Sequence, residues 1–160
     1  MNSIITNPPA TQEGIGIQTA VLTADFPKTN NTLAAVTGWS NTITLEAGKT
    51  YRVTGQFVGI DGSGDDALKV DFAGGTATIT GMNGVAIVGA GGAVQVSALT
   101  DLFIANAGET LAGSIDFTLQ CDAAGTLNMR CGQVLTNVLP STLLKYSTIS
   151  AQEISPTPTY

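Results

Sequence analysis

Apolar and polar side chains alternate along much of this chain with a period of two. In Tyr51-Arg52-Val53-Thr54-Gly55-Gln56-Phe57 the odd positions face one way, and Arg52, Thr54 and Gln56 fall between them. Successive side chains of an extended strand point to opposite faces, so this pattern predicts a strand with a core side and a solvent side. Leu68, Val70 and Phe72 repeat it, with Lys69 and Asp71 outward. The same reading predicts strands at 18–26, 41–47, 50–60, 66–73, 76–80, 84–89, 93–106, 113–122, 126–135 and 143–154. Turns rich in Gly, Asn and Asp separate them: "EAGK", "DGSGDD", "AGG", "MNG", "GAGG", "NAGE" and "DAAG". No segment longer than two turns combines helical spacing with a cap and a stop. Many short strands joined by such turns predict an all-β, antiparallel sandwich.

Three stretches depart from the alternation. "VAIVG" at 85–89, "LFIA" at 102–105 and "TLL" at 142–144 are apolar on both faces, which implies a second packing surface beyond the core. Its natural cover is another copy of the chain, and Ile87, Phe103, Ala105, Leu143 and Leu144 are the candidate interface residues. Residues 1–16 lack periodicity and carry Pro8-Pro9, which predicts an extended N-terminal arm ahead of a sandwich at 17–154; "SPTPTY" predicts a flexible tail at 155–160. Within the arm, Ile4, Ile5, Pro8 and Pro9 are the candidate contacts to a partner shell. The first residues lack the basic leader and apolar core of a signal peptide, and no stretch approaches the roughly 20 apolar residues of a membrane span. A soluble product with no membrane partner is expected.

A chain of 160 residues suits one domain, which at this size buries about 70% of its unfolded surface. Only 11% of its residues are charged and 43% are hydrophobic, against about 25% charged in an average soluble domain. A surface so poor in charge again points to cover by other subunits. Net charge is −6, and the cations Lys28, Lys49, Arg52, Lys69, Arg130 and Lys145 are scattered, which argues against a nucleic-acid partner. The chain has no histidine, so the usual base near neutral pH, the Ser-His and Cys-His pairs and most zinc or copper sites are missing. Cys121 and Cys131 share the odd, apolar positions of their strands with Phe117, Leu119, Leu127 and Met129 and are expected in the core as free thiols. A disulfide would require the intervening turn to centre on Thr126, so that the two residues face each other; a turn at Ala124-Gly125 offsets them.

Motifs that could carry chemistry are weak. "VAIVGAGGAV" at 85–94 has the closely spaced glycines of a dinucleotide site, but Val94 stands where the third glycine belongs, and the following Ala93–Ala98 alternates as a strand. Without a helix N-terminus there is no phosphate cradle. "DGSGDD" at 61–66 offers Asp61, Ser63, Asp65 and Asp66, but Asp66 replaces the sixth-position glycine of a calcium loop and Phe72 replaces its terminal Glu. A hairpin tip is the better reading. Asp25, Glu46, Asp101, Glu109 and Asp116 sit beside turns, as solvated caps do, and Trp39 opens a strand as core or interface filler. No catalytic residue, metal or cofactor is expected. A pair of carboxylates from distant strands is the remaining route to an enzyme.

One segment brings a family to mind: "TNNTLAAVTGWSNTITLEAGKTYRVTGQFVG" at 29–59, followed by "STLLKYSTISAQEI" at 141–154. It resembles the jelly-roll domains of bacteriophage virion proteins, which are similar to the trimeric tumour necrosis factor and complement globular-head modules. Ala47-Gly48-Lys49-Thr50-Tyr51 carries most of the likeness, with Tyr51 on the inward face, and the resemblance covers about residues 20–154. It implies a jelly-roll sandwich, a homotrimer, no catalytic residues, and a place on the capsid surface as a head-decoration (cement) or head-fibre protein. The major capsid protein would be its partner, with assembly in the host cytoplasm. A tail-fibre tip or carbohydrate-binding module is the alternative, although 6% aromatic residues is few for a recognition surface.

Overall fold

The computed structural model describes residues 16–60, 68–88, 92–100, 103–104 and 110–154. Among these the chain forms thirteen strands: β1 (Ile17–Val21), β2 (Phe26–Lys28), β3 (Ala34–Ala35), β4 (Ile43–Leu45), β5 (Lys49–Ile60), β6 (Leu68–Gly74), β7 (Thr78–Val88), β8 (Ala93–Val96), β9 (Phe103–Ile104), β10 (Thr110–Ala123), β11 (Gly125–Gln133), β12 (Ser141–Leu143) and β13 (Thr148–Glu153). They pair antiparallel in two sheets. The larger runs β1-β13-β5-β10-β7-β8, with β12 joining β2 to the end of β5; the smaller runs β3-β11-β6-β9, with β4 also on β11. From β1 onward the chain passes repeatedly from one sheet to the other, and most neighbours are distant in sequence. That is an antiparallel jelly-roll sandwich.

The inward faces follow the alternation. Tyr51, Val53 and Phe57 of β5, Leu68, Val70 and Phe72 of β6, and Ile115, Phe117, Leu119 and Cys121 of β10 are all buried. Phe72 and Phe117 meet edge to face across the layers with centroids 5.3 Å apart, a geometry that adds about 0.5–1.5 kcal/mol to their burial. The Tyr51 hydroxyl, although buried, accepts a 2.8 Å hydrogen bond from the Glu46 amide. This closes the turn at Gly48, whose φ of 74° is the left-handed region that glycine enters without cost.

Several expectations are corrected. Strands expected at 76–80 and 84–89 are one strand, β7, because "MNG" does not turn: Met82, Asn83 and Gly84 stay paired with Leu119, Thr118 and Phe117. Gly84 serves close approach instead, since a Cβ there would overlap the backbone of Asp116 and Phe117. The run 93–106 is not one strand, since β8 and β9 belong to different sheets. The run 143–154 breaks at Lys145-Tyr146, where Tyr146 has φ 70° and the Lys145 amide donates to the Asp25 carboxylate at 2.8 Å.

The segment from Cys121 to Cys131 is no hairpin. β10 and β11 lie in opposite sheets, and the chain turns the corner at Ala124-Gly125; a Cβ on Gly125 would overlap Thr76 and Ala77. Both cysteines are buried and free. Asp71, expected in solvent, is 1% exposed. Arg130, directly opposite it on β11, donates from Nε to Oδ1 at 2.8 Å and from Nη2 to Oδ2.

Candidate functional site

The functional candidate with the most physical content is the outer face of the larger sheet. Even-numbered residues of β5 and β10 and odd-numbered residues of β7 point outward, and the register sets them in rows. Thr54, Asp116, Val85 and Gln95 form one row; Gln56, Ser114, Ile87 and Ala93 form the next; Val58 then stands opposite Ala112, and Ile60 opposite Thr142. The face therefore changes character along the strands. Its Arg52 end is polar, whereas Val58, Ile60, Val85 and Ile87 keep 36%, 44%, 43% and 50% of their surface exposed. A shallow depression of about 270 Å³ lies among Gln56, Val58, Ile87, Ala112 and Ser114. Beneath it, on the core side, the Phe57 ring packs against Gly113, where a Cβ would overlap the ring.

Charge borders this patch without entering it. Arg52 and Asp116 pair across β5 and β10, with Nε to Oδ1 at 2.9 Å and a second bond from Nη2 to Oδ2. The guanidinium hydrogen bonds hold the Asp116 carboxyl below its ordinary range and the Arg52 above its own. Beyond Ile60, the connection from β11 to β12 exposes Leu135, Val138 and Leu139. It is pinned by the fully buried Gln133, whose amide donates to the Leu139 carbonyl at 2.7 Å and accepts from the Asn137 amide at 3.0 Å.

The structure divides the sequence-derived candidates. Ile87 lies in the patch, half exposed. Leu143 does not qualify: it is fully covered within one chain, since β12 is sandwiched between β2 and β5 and turns its leucine inward. Leu144 is half-buried, its amide bonded to the Val58 carbonyl at 2.8 Å. Phe103 contributes backbone to β9; Ala105, the arm residues Ile4, Ile5, Pro8 and Pro9, and the "DGSGDD" loop lie outside the described residues. Val58 and Ile60 were missed, although a signal existed: after four polar even positions, Thr50, Arg52, Thr54 and Gln56, β5 continues with two apolar ones.

The acids and thiols show structural employment. Asp25 caps the Lys145 amide, Asp116 pairs with Arg52, and Glu153 takes Lys49 at 2.8 Å. Burial pushes the Cys131 thiol up to about 12 and raises Cys121 as well, which makes both poor nucleophiles. Among the described residues no group of three or more His, Cys, Asp or Glu could hold a metal, and no helix is long and apolar enough to cross a membrane.

Fold and face together define a jelly-roll β-sandwich with an unpartnered apolar patch on its larger sheet. No protein-family model matches the chain, and no curated protein matches it. Among solved structures it is similar to a chain in the structure of infectious bursal disease virus, Gx strain, at 14% identity and a TM-score of 0.28. The alignment covers 89% of this chain and 41% of that one, so this chain spans less than half of its length.

Proposed function

We propose that this protein is a non-enzymatic structural component of a virus particle: a jelly-roll protein that forms a homotrimer and decorates or cements a bacteriophage head. The observation that carries the reading is the apolar patch of Val58, Ile60, Val85, Ile87 and Ala112, set on a chain with only 11% charged residues. Each of the four large residues still exposes between a third and a half of its surface. Full burial of such a side chain yields about 1.5–3 kcal/mol, so covering what remains contributes roughly 2–5 kcal/mol per protomer. Burial of a matching surface on a second copy adds a like amount, against an association cost of about 4–15 kcal/mol. The resemblance through Ala47–Tyr51 adds the trimer and the capsid as its setting.

The mechanism is mass action. A trimer that binds only the assembled shell stabilises it by about 2.7 kcal/mol per site at a hundredfold excess over its Kd, with no chemistry at the site. Native mass spectrometry of the full chain tests this directly. Three chains per particle at micromolar concentration are expected, with dissociation to monomer on combining Val58→Glu and Ile87→Glu. Wild-type protein that stays monomeric at about 100 μM, well above the Kd of roughly 1 μM that corresponds to 8.2 kcal/mol, refutes self-association; trimers that fail to co-sediment with capsids refute the decoration role.

A further inference from the structure

A closed trimer cannot be built from one patch laid against itself. A contact that joins like to like pairs two copies and stops, whereas a three-fold ring needs two different surfaces on each chain, one giving and one receiving. The larger sheet supplies a receiving surface. The outward side chains of β10 at Ala112 and Ser114 are small, while Gln56 and Val58 stand beside them on β5 and Ile87 on β7. The depression of about 270 Å³ is therefore a groove along β10 between taller walls. We propose, on the trimer reading above, that this groove seats the β11–β12 connection of the neighbouring copy, with Val138 as the side chain that fills it.

The connection is apolar, open to water and already ordered. Residues 134–140, Val-Leu-Thr-Asn-Val-Leu-Pro, carry no charge. Leu135, Val138 and Leu139 are 59%, 88% and 50% exposed, the equivalent of about two whole side chains. On a loosely held loop, docking such groups would first cost the entropy of fixing them. Here Gln133, buried at the root, grips both the Leu139 carbonyl and the Asn137 amide. The Asn137 side-chain oxygen in turn accepts from the Leu139 amide at 3.1 Å. From beside the loop, the Thr136 hydroxyl accepts the Asn31 amide at 3.2 Å, and the Gln133 amide donates to the Asn30 carbonyl at 2.8 Å. A side chain as polar as glutamine stays in the core because both its ends are matched, and the result is a rigid loop that holds aliphatic groups outward.

Shape, size, charge and direction agree. Two grooves laid face to face enclose a void, whereas a loop fills one. A cavity of about 150 Å³ already holds a benzene-sized guest, so the groove has room for Val138 and part of a second aliphatic side chain. Neither surface contains a charged residue, so no ion is stripped of water when they meet; the Arg52–Asp116 pair stands one step beyond Ser114. β11 belongs to the smaller sheet and β12 to the larger, and Thr142 of β12 lies opposite Ile60, the last residue of β5. The loop therefore crosses the end of the sandwich, while the groove opens on the outer face of the larger sheet. Surfaces that look in different directions suit a head-to-tail contact, and a rotation of one third of a turn at each step closes it after three copies.

Opposite charges placed on the two surfaces test the contact. Native mass spectrometry of the full chain compares wild type, Val138→Asp, Ile87→Lys and the variant carrying both changes. Each single change puts an unpaired charge into the contact and should raise the concentration at which trimers form by about tenfold or more. In the combined variant the introduced carboxylate of one copy meets the introduced ammonium of the next, and trimers should return to within about threefold of the wild-type concentration. Both positions are exposed, so melts at concentrations too low for trimers should coincide; should Val138→Asp fail to fold, Leu135→Asp takes its place. A wild-type trimer that the loop variant leaves intact, or a combined variant no better than its parents, overturns the seating of the loop and leaves the trimer standing. A wild-type chain that stays monomeric or stops at a dimer overturns both.

Discussion

Arg130→Met isolates the worth of a single pairing across the smaller sheet. Asp71 is 1% exposed, while the Arg130 side chain that meets it is 30% exposed. The two ends of this ion pair therefore differ in how well water can replace the partner. Removing the guanidinium leaves a buried carboxylate without its counter-charge, which costs about 3–5 kcal/mol. Removing the carboxylate charge with Asp71→Asn leaves an arginine that water still reaches, so the loss is that of charge-assisted hydrogen bonds, about 1.5–3 kcal/mol. Arg130→Met should thus be the more damaging by about 2 kcal/mol, the difference between the midpoints of those ranges. For a chain of this size each kcal/mol moves Tm by about 2–4 °C, so Arg130→Met should fall by roughly 8–16 °C and Asp71→Asn by about half that. The double variant Asp71→Leu/Arg130→Met, which removes both charges and keeps apolar volume, should return to within about 1 kcal/mol of wild type. Urea unfolding at one fixed protein concentration, with Cm and m fitted separately, measures wild type and the three variants. Equal losses for the two single variants, or a double variant no better than Arg130→Met, would refute the argument that burial of the carboxylate sets the cost.

Other consequences are open to equally direct measurement. Leu143→Ala should destabilise the fold by about 2.7–5 kcal/mol and leave subunit number unchanged, whereas Ile87→Glu should weaken the proposed trimer at nearly constant monomer stability; native mass spectrometry beside urea melts separates the two. Cys131 should resist a thiol reagent in the native state and react on unfolding. Because burial raises this thiol from about 9 to about 12, its contribution is complete below pH 9 and is lost as the pH rises towards 12. The unfolded chain ionises first, so denaturant melts should show a loss of about 1.4 kcal/mol per pH unit above 9. Burial raises Tyr51 and Cys121 as well, which acts in the same direction. Gly84→Ala, which meets backbone, should be far more harmful than Gly48→Ala, which meets open space and carries only the left-handed backbone cost of about 1–2 kcal/mol; Tm of the two variants decides.

Much of the local architecture was legible in the order of residues. Period-two alternation assigned the inward faces of β5, β6 and β10 correctly, put both cysteines in the core, and placed the turn at Gly48. It also flagged Ile87 as apolar where solvent was expected. The candidate face was only half legible, because Val58 and Ile60 stand out only once their neighbours across β10 are known. A cavity between the layers was not legible at all: Ala20, Trp39, Met129 and Ile149 come together only once β1, β11 and β13 converge.

By itself the chain determined that it would be extended and which side of each strand would be dry, because those properties depend on residue type and a local two-residue repeat. Tertiary structure decided which strand lies beside which. Alternation specifies a face but names no neighbour. Only the closing of two sheets over one core kept "MNG" straight, sent β10 and β11 to opposite layers, hid Leu143 beneath β2 and β5, and drew Asp71 out of water under Arg130.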